Sequence, residues 1–406
     1  MSLHLKFIAV ILSVFMLLSF VSCGVPENNG EGGSTSGSTA ETTTATPTDP
    51  QPDPTPDPEP EPKKIKNIII IIGDGMGPQH IEAGQIFENK TYDFTSWQNS
   101  VCNTDSVDKN GNGGVLTDSA ASATALATGT LTQNSYLGKD HNGNNLTTIL
   151  DVAKDMGKSV GVLTTDNLYG ATPSGFSAHS TDRNNSTAIL ATQLTSNVDF
   201  LCGLRADSFY SPYIGLFAQK GYYYSNDLSN KEAIMAADKV FLPTDIENGA
   251  AKSVALKDAA SLAIEYLERD EDGFVLMIEQ AHIDKCSHSN DIAGMLARMK
   301  SLNETVETVK AWADDRGDTA IIVTADHETG GLSASKTQTL PYAHVVGSQK
   351  VFYKWTSTSH TKTMVKIFVH GYDVDFKTLS QYNTADKIKN TDVFKLMKQI
   401  LEENKS

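Results

Sequence analysis

The stretch KIKNIIIIIGDGMG, residues 64–77, constrains the fold more than any other part of this chain. An unbroken apolar run cannot leave either side of a strand in water, so both of its faces must be covered. β-Branched residues bounded by glycines suit a strand inside a parallel sheet. The same grammar returns three times. LTTILDVAKDMGKSVGVLTT (146–165) reads as helix, glycine stop and strand, and so do residues 257–279 and 290–328. Helices alternating with apolar strands predict a doubly wound α/β fold, a mainly parallel sheet with helices on both faces. The closing TDVFKLMKQILEENK reads as a capped amphipathic helix. No internal repeat is visible.

The chain falls into three parts. Residues 1–22 carry a basic start, an apolar core and small residues before Cys23, the pattern of an export signal. The junction SFVSC-G resembles a bacterial lipobox, in which Cys23 becomes the lipidated first residue. Residues 23–62 form a tether. Its first half is rich in Gly, Ser and Thr, and residues 47–62 hold eight of the 14 prolines. Such composition gives flexible coil followed by extended polyproline II, and neither buries a core. Residues 63–406 remain as the folded domain, enough for a large core. The expectation is an exported bacterial lipoprotein, periplasmic or at the cell surface, held to a membrane through its N-terminal lipid.

A net charge of −16 argues against nucleic-acid binding, which needs a basic surface. A phosphate ester can still bind where metal ions make the site locally positive. Cys102, Cys202 and Cys286 lie far apart, and their odd number leaves at least one free thiol. DKNGNGG (108–114) and KDHNGNN (139–145) imitate calcium loops but lack the closing ligand, so Asn-Gly turn chemistry explains them better.

In α/β sheets function gathers at the carboxyl ends of the strands. The first strand runs into Asp74. The strand at 273–279 ends in Glu279, with Asp284 and His288 just beyond, and the strand at 319–325 ends before Asp326 and His327. Buried carboxylates need partners, and Lys and Arg are scarce here. Asp284 and His288, four apart, share one face of a helical turn. His360 sits in the polar loop TSTSHT. Asp and His donors with an open position suit catalytic zinc, while Glu279 and Thr172 offer the harder oxygens that magnesium prefers. VLTDSAASATALATGT (115–130) adds Ser119 at a helix start, where free amides and the helix dipole favour an anion. Each motif alone has a structural explanation. Together they point to a metallohydrolase.

IIGDGMG, TDSAASATALATG, ATPSGFSAHSTDR, EQAHIDKCSH, TADHETGG and SHT stand in the order found in alkaline phosphatases, which this chain resembles from about Ile68 to its last helix. The resemblance implies an alkaline phosphatase-like fold with two zinc ions and one magnesium ion. It casts Asp284, His288 and His360 as ligands of the first zinc. Asp74, Asp326 and His327 become ligands of the second, with Ser119 beside it. Asp74 also faces a magnesium site with Thr172 and Glu279. Arg183 matches the phosphate-clamping arginine, and Lys285 resembles a lysine that some bacterial members keep near the phosphate. Two features depart from the family. Where many members carry an Asp or His, two residues before Thr172, this chain has Gly170. Little sequence separates His327 from His360, so the crown region is reduced, and both a monomer and a homodimer are compatible with that.

The expected chemistry is hydrolysis of phosphate monoesters through a phosphoserine on Ser119, with no catalytic His needed because a zinc ion can stabilise the alkoxide. A phosphodiesterase or sulfatase on the same scaffold would need a different nucleophile or different contacts to the ester. A non-catalytic metal- or phosphate-binding lipoprotein would have lost a ligand or the serine, and all are present. Cys286, His179, His282, His80, His344 and His370, with Trp97, Trp312 and Trp355, are expected to support structure or surface.

Overall fold

The computed structural model describes residues 64–247 and 253–403. The expected signal peptide, Cys23 lipid site and tether lie outside the described residues. Among those described, no helix is long and apolar enough to cross a membrane.

Asn67–Gly73 is the central strand, and Ile68 through Ile72 are all fully buried. It pairs in parallel with Phe274–Gln280 on one side and Thr319–Thr324 on the other. The ten-stranded sheet runs in the order Lys387–Lys389, Gln98–Asn103, Val365–His370, Thr319–Thr324, Asn67–Gly73, Phe274–Gln280, Ser159–Thr164, Phe200–Leu204, Lys239–Thr244, Tyr222–Tyr224. Val365–His370 runs against both of its neighbours, while the other pairings are parallel. The doubly wound, mainly parallel α/β expectation therefore holds. Register carries the functional consequence. Ile72 stands opposite Glu279 on one side and Thr324 on the other, and Thr164 stands opposite Glu279. Asp74, Glu279 and Asp326 thus emerge along one edge of the sheet.

The three helix–strand units appear where the sequence placed them, led by helices Ile149–Asp155, Leu256–Leu267 and Ile292–Arg316. Helix Ser119–Thr128 shows why its side chains are small. All ten of its residues are buried. It is sandwiched between helix Ala171–Ser177 and the C-terminal helix Asn390–Glu403. A Cβ on Gly175 would lie 2.6 Å from Ala123 Cβ, so the first pair of helices meets almost backbone to backbone. On the other side Phe394 covers Gly129, and Asn390 Nδ2 donates to Ser122 Oγ at 3.3 Å.

Between the sheet edge and His360 lies a three-stranded antiparallel sheet of Ser333–Ser335, Gln349–Lys354 and Tyr342–Val346, the region where the crown was expected to be small. The two calcium-like segments are matched turns. Asp108 Oδ1 accepts from the amides of Asn110 and Asn112, and Asp140 Oδ1 accepts from those of Asn142 and Asn144. Cys102, Cys202 and Cys286 are all free.

Candidate active site

Asp74 follows the central strand directly. The next residue, Gly75, takes φ +73°, and a Cβ there would lie 2.8 Å from the Asp284 backbone. Glycine is what lets the first strand's turn touch the helix His282–His288. The Gly75 amide donates to Asp326 Oδ1 at 3.1 Å, and the Gly75 carbonyl accepts from the Thr329 amide at 3.1 Å. One glycine thereby ties three ligand-bearing segments together.

Asp284 and His288 do share a helical face, with His288 Nε2 3.3 Å from Asp284 Oδ1. His360 is not in an unstructured loop. His360–Thr361 pairs antiparallel with Glu328–Thr329, which lays the His360 ring on His327 at a centroid distance of 3.5 Å. His360 Nε2 then stands 3.7 Å from Asp284 Oδ1. Two clusters result, Asp284/His288/His360 and Asp74/Asp284/His327, each with its donor atoms within 4.8 Å of one another. Asp284 belongs to both, whereas the family resemblance assigned it to the first alone. Asp326 joins the second cluster through Oδ2, 3.2 Å from His327 Nε2.

Every imidazole in the cluster is held by its other nitrogen. His288 Nδ1 faces the Thr358 carbonyl at 2.6 Å, His360 Nδ1 the Thr117 carbonyl at 2.9 Å, and His327 Nδ1 the Thr329 hydroxyl at 3.2 Å. An acceptor at Nδ1 keeps the proton there and turns the Nε2 lone pair inward, the tautomer a metal ligand requires.

The carboxylates are under strain as they stand. Burial, then the neighbouring Asp326, Asp284 and Glu279, push the Asp74 carboxyl well above the usual carboxylate range. Burial raises Asp326 as well, and lowers His327 to about 3. Asp74 Oδ1, Asp326 Oδ2 and the Thr172 hydroxyl are buried without a hydrogen-bond partner. Orphaned oxygens facing inward imidazole nitrogens are the arrangement that divalent cations complete.

Ser119 begins its helix beside this cluster, 4% exposed, with Oγ 3.2 Å from His327 Nε2. Asp118 caps the helix by accepting from the Ala121 amide at 2.9 Å. Its other oxygen accepts from the Ser135 amide at 3.0 Å and from Arg183 Nη1 at 3.1 Å. The guanidinium is therefore positioned before any anion arrives. Ser122 Oγ donates to the Asp326 carbonyl at 2.6 Å and fixes helix to strand end.

Glu279 and Thr172 lie outside the two clusters. Glu279 accepts a short hydrogen bond from the Thr164 hydroxyl, and burial followed by the charge of Asp166 pushes its carboxyl up to about 8. Lys285 leaves the helix for Asp166, Nζ to Oδ1 2.6 Å, and its side chain stays half exposed. Cys286 belongs to neither cluster. His80 is buried, bonded to Ser287 Oγ at 3.1 Å and the Gly77 amide at 3.2 Å. His179 reaches the Leu146 carbonyl at 2.8 Å, and His370 pairs with Asp314 at 2.6 Å. Burial lowers His282 to about 4, and the His344 ring packs on Phe87 at 5.2 Å. Trp97 is buried, Trp312 bonds Glu268 at 3.2 Å, and Trp355 packs over Gly330.

Three contributors have no separate signal in the motifs. Asp118 reads as a plain cap until the fold brings Arg183 to it. Thr329 and Asp166 are ordinary polar residues whose partners lie 45 and 119 positions away in sequence.

A family model described as alkaline phosphatase matches residues 65–202 and 191–401. Alkaline phosphatase 3 of Bacillus subtilis is 29% identical over 351 residues, spanning 80% of this chain and 72% of that protein. Alkaline phosphatase 4 of the same organism is 32% identical over 295 residues, 66% of this chain and 63% of its own length. Among solved structures, the cold-active alkaline phosphatase of a Shewanella species superposes with a TM-score of 0.71 at 27% identity, covering 82% of this chain and 99% of that one. The alkaline phosphatase of the Antarctic bacterium TAB5 gives 0.72 at 24% identity, covering 84% and 99%.

Proposed function

We propose, from the premise that this chain belongs to the alkaline phosphatase family, that it hydrolyses phosphate monoesters through a phosphoserine on Ser119 and releases inorganic phosphate. Membership makes it a phosphatase. The finer reading rests on one arrangement: a buried serine at a helix start, beside orphaned carboxylates, with Arg183 held on the same cap residue.

The residues that would hold the cations are these. Asp284, His288 and His360 would take one zinc, and Asp74, Asp326 and His327 a second. Glu279 and Thr172, with Asp74, would take magnesium. When bound, the cations supply Lewis-acid charge that favours the Ser119 alkoxide and neutralises the phosphoryl oxygens.

The chain's own groups do the rest. Arg183 presents a planar fork to two non-bridging oxygens, and Asp118 fixes its direction. The free amides at the helix start add positive potential under the phosphate. Ser119 Oγ attacks phosphorus in line, the P–O bond to the ester oxygen breaks, and the alcohol leaves with a proton. Water then attacks the phosphoserine from the vacated side, the P–Oγ bond breaks, and Ser119 regains its proton as phosphate departs. Most of the acceleration is positioning and charge compensation. The N-terminal segment supports a further part of the proposal, an exported lipoprotein tethered through Cys23 and working outside the cytoplasmic membrane.

The test is a chromogenic phosphate monoester, assayed with metal analysis of the same samples. Wild type should hydrolyse it, lose activity on chelation and regain it with zinc. Ser119→Ala should hold wild-type zinc and show no phosphoenzyme, with kcat lower by at least about a thousandfold. Full zinc with no monoester hydrolysis, but turnover of diesters or sulfate esters, would refute the reading.

A further inference from the structure

We propose that Asp166 supplies the carboxylate of the third, magnesium-type site beside Glu279 and Thr172, replacing from another backbone position the side chain that Gly170 lacks. The proposal rests on the phosphatase reading above and concerns how this chain builds its third cation site.

Gly170 has no side chain to offer, yet the space above it is filled. A Cβ on Gly170 would lie 3.0 Å from Asp166 Oδ2 and 2.9 Å from the Asn167 carbonyl. The carboxylate of Asp166 is therefore packed where a residue at 170 would begin. Together with the Asn167 carbonyl, that packing leaves no room for a side chain at 170.

Asp166 is also joined to the neighbours such a site would use. The Thr164 hydroxyl donates to Glu279 Oε2 and accepts from the Asp166 amide at 2.8 Å. Strand register puts Thr164 directly opposite Glu279, so Asp166 leaves the sheet two residues beyond that pair. Oδ1 is held by Lys285 Nζ at 2.6 Å, which leaves Oδ2 turned toward the helix that carries Thr172.

A second observation points to a ligand independently of these acids. The Thr172 hydroxyl is 1% exposed, lies beside the Glu279 carboxylate, and makes no hydrogen bond of ordinary geometry. A buried hydroxyl in that state is destabilising unless something completes it. Two carboxylates and a hydroxyl form an all-oxygen set, which suits a hard cation that retains part of its water shell. Lys285 holds one oxygen of Asp166 in an ion pair and leaves the other for the cation, which that oxygen can meet whether or not the ion pair is made.

The experiment is a magnesium titration by calorimetry on the full-length, zinc-loaded protein, with zinc content and monoester hydrolysis read on the same samples. Asp166→Asn should weaken magnesium binding at least tenfold while zinc content stays at the wild-type level. Lys285→Met should not weaken magnesium. If Asp166→Asn binds magnesium within twofold of wild type, or Lys285→Met loses as much affinity as it does, Asp166 is only an ion-pair partner and the proposal falls. A wild type with two zincs and turnover but no magnesium also overturns it. A wild type without zinc or hydrolysis overturns the phosphatase reading beneath it instead.

Discussion

Thr329 touches no substrate in the proposed reaction, yet the structure gives it leverage over both ligand-type clusters. Its hydroxyl donates to Asp284 Oδ1 at 2.5 Å and accepts from His327 Nδ1 at 3.2 Å. Thr329→Val keeps the branched shape and removes both bonds. Without a cation, His327 can shift its proton to Nε2 and donate to Asp326 Oδ2, 3.2 Å away. A cation on Nε2 forbids that tautomer, so the variant must then leave a buried Nδ1–H unpaired. The penalty falls on the loaded state and becomes lost affinity. The bond to Asp284 is lost with and without the cation and largely cancels, so the stranded buried donor, about 1–3 kcal/mol, sets the loss. At about 1.4 kcal/mol per tenfold, zinc affinity should fall roughly fivefold to a hundredfold. Competition against a chromophoric chelator reads this directly, with the thermal unfolding midpoint of the metal-free protein as control. Zinc affinity within threefold of wild type would refute the reasoning, because the hydroxyl would then not be setting the His327 tautomer.

Asp118→Ala removes the helix cap and the anchor of Arg183 together. The lost cap should cost about 1 kcal/mol of stability. The inhibition constant for inorganic phosphate should rise about tenfold as the guanidinium loses its fixed direction, with zinc content unchanged. The metal-free protein should lose stability as pH rises. Glu279 is held at about 8 against an ordinary 4.5, and Asp74 and Asp326 are raised as well. The folded state therefore keeps protons that the unfolded chain has released, but below about pH 6.5 the buried His80, His282 and His327 offset this by staying neutral where the unfolded chain is protonated, so the melting temperature should fall chiefly from about pH 6.5 to about pH 8 and flatten above it. Zinc and magnesium should flatten that slope, and an apo protein equally stable at both ends would contradict the assignment. Gly175→Ala should destabilise by about 1–3 kcal/mol in chemical unfolding, because its Cβ would overlap Ala123 where neither backbone has room to move.

The resemblance to alkaline phosphatases was legible because its motifs are contiguous. TDSAASATALATG and TADHETGG each pack a helix start or a strand end into one stretch of chain, so local spacing carries the chemistry. Asp74, Glu279 and Asp326 were legible for a related reason. Each stands at the end of an apolar run, and parallel pairing brings such ends to one edge. His360 was legible as a polar histidine. Its short ladder with Thr329, and hence its stacking on His327, depends on a pairing that spans about thirty residues and leaves no local trace.

The sequence by itself determined the doubly wound sheet, the acids at its carboxyl edge and the serine at its helix start, because periodicity, breakers and short motifs are local properties. Tertiary structure alone decided which atoms meet. It placed Asp284 between both clusters, set Thr329 between Asp284 and His327, hung Arg183 on Asp118, and filled the gap at Gly170 with Asp166. Those contacts are made by side chains far apart in the chain. Their distances follow from strand register and helix packing, which no single stretch of residues encodes.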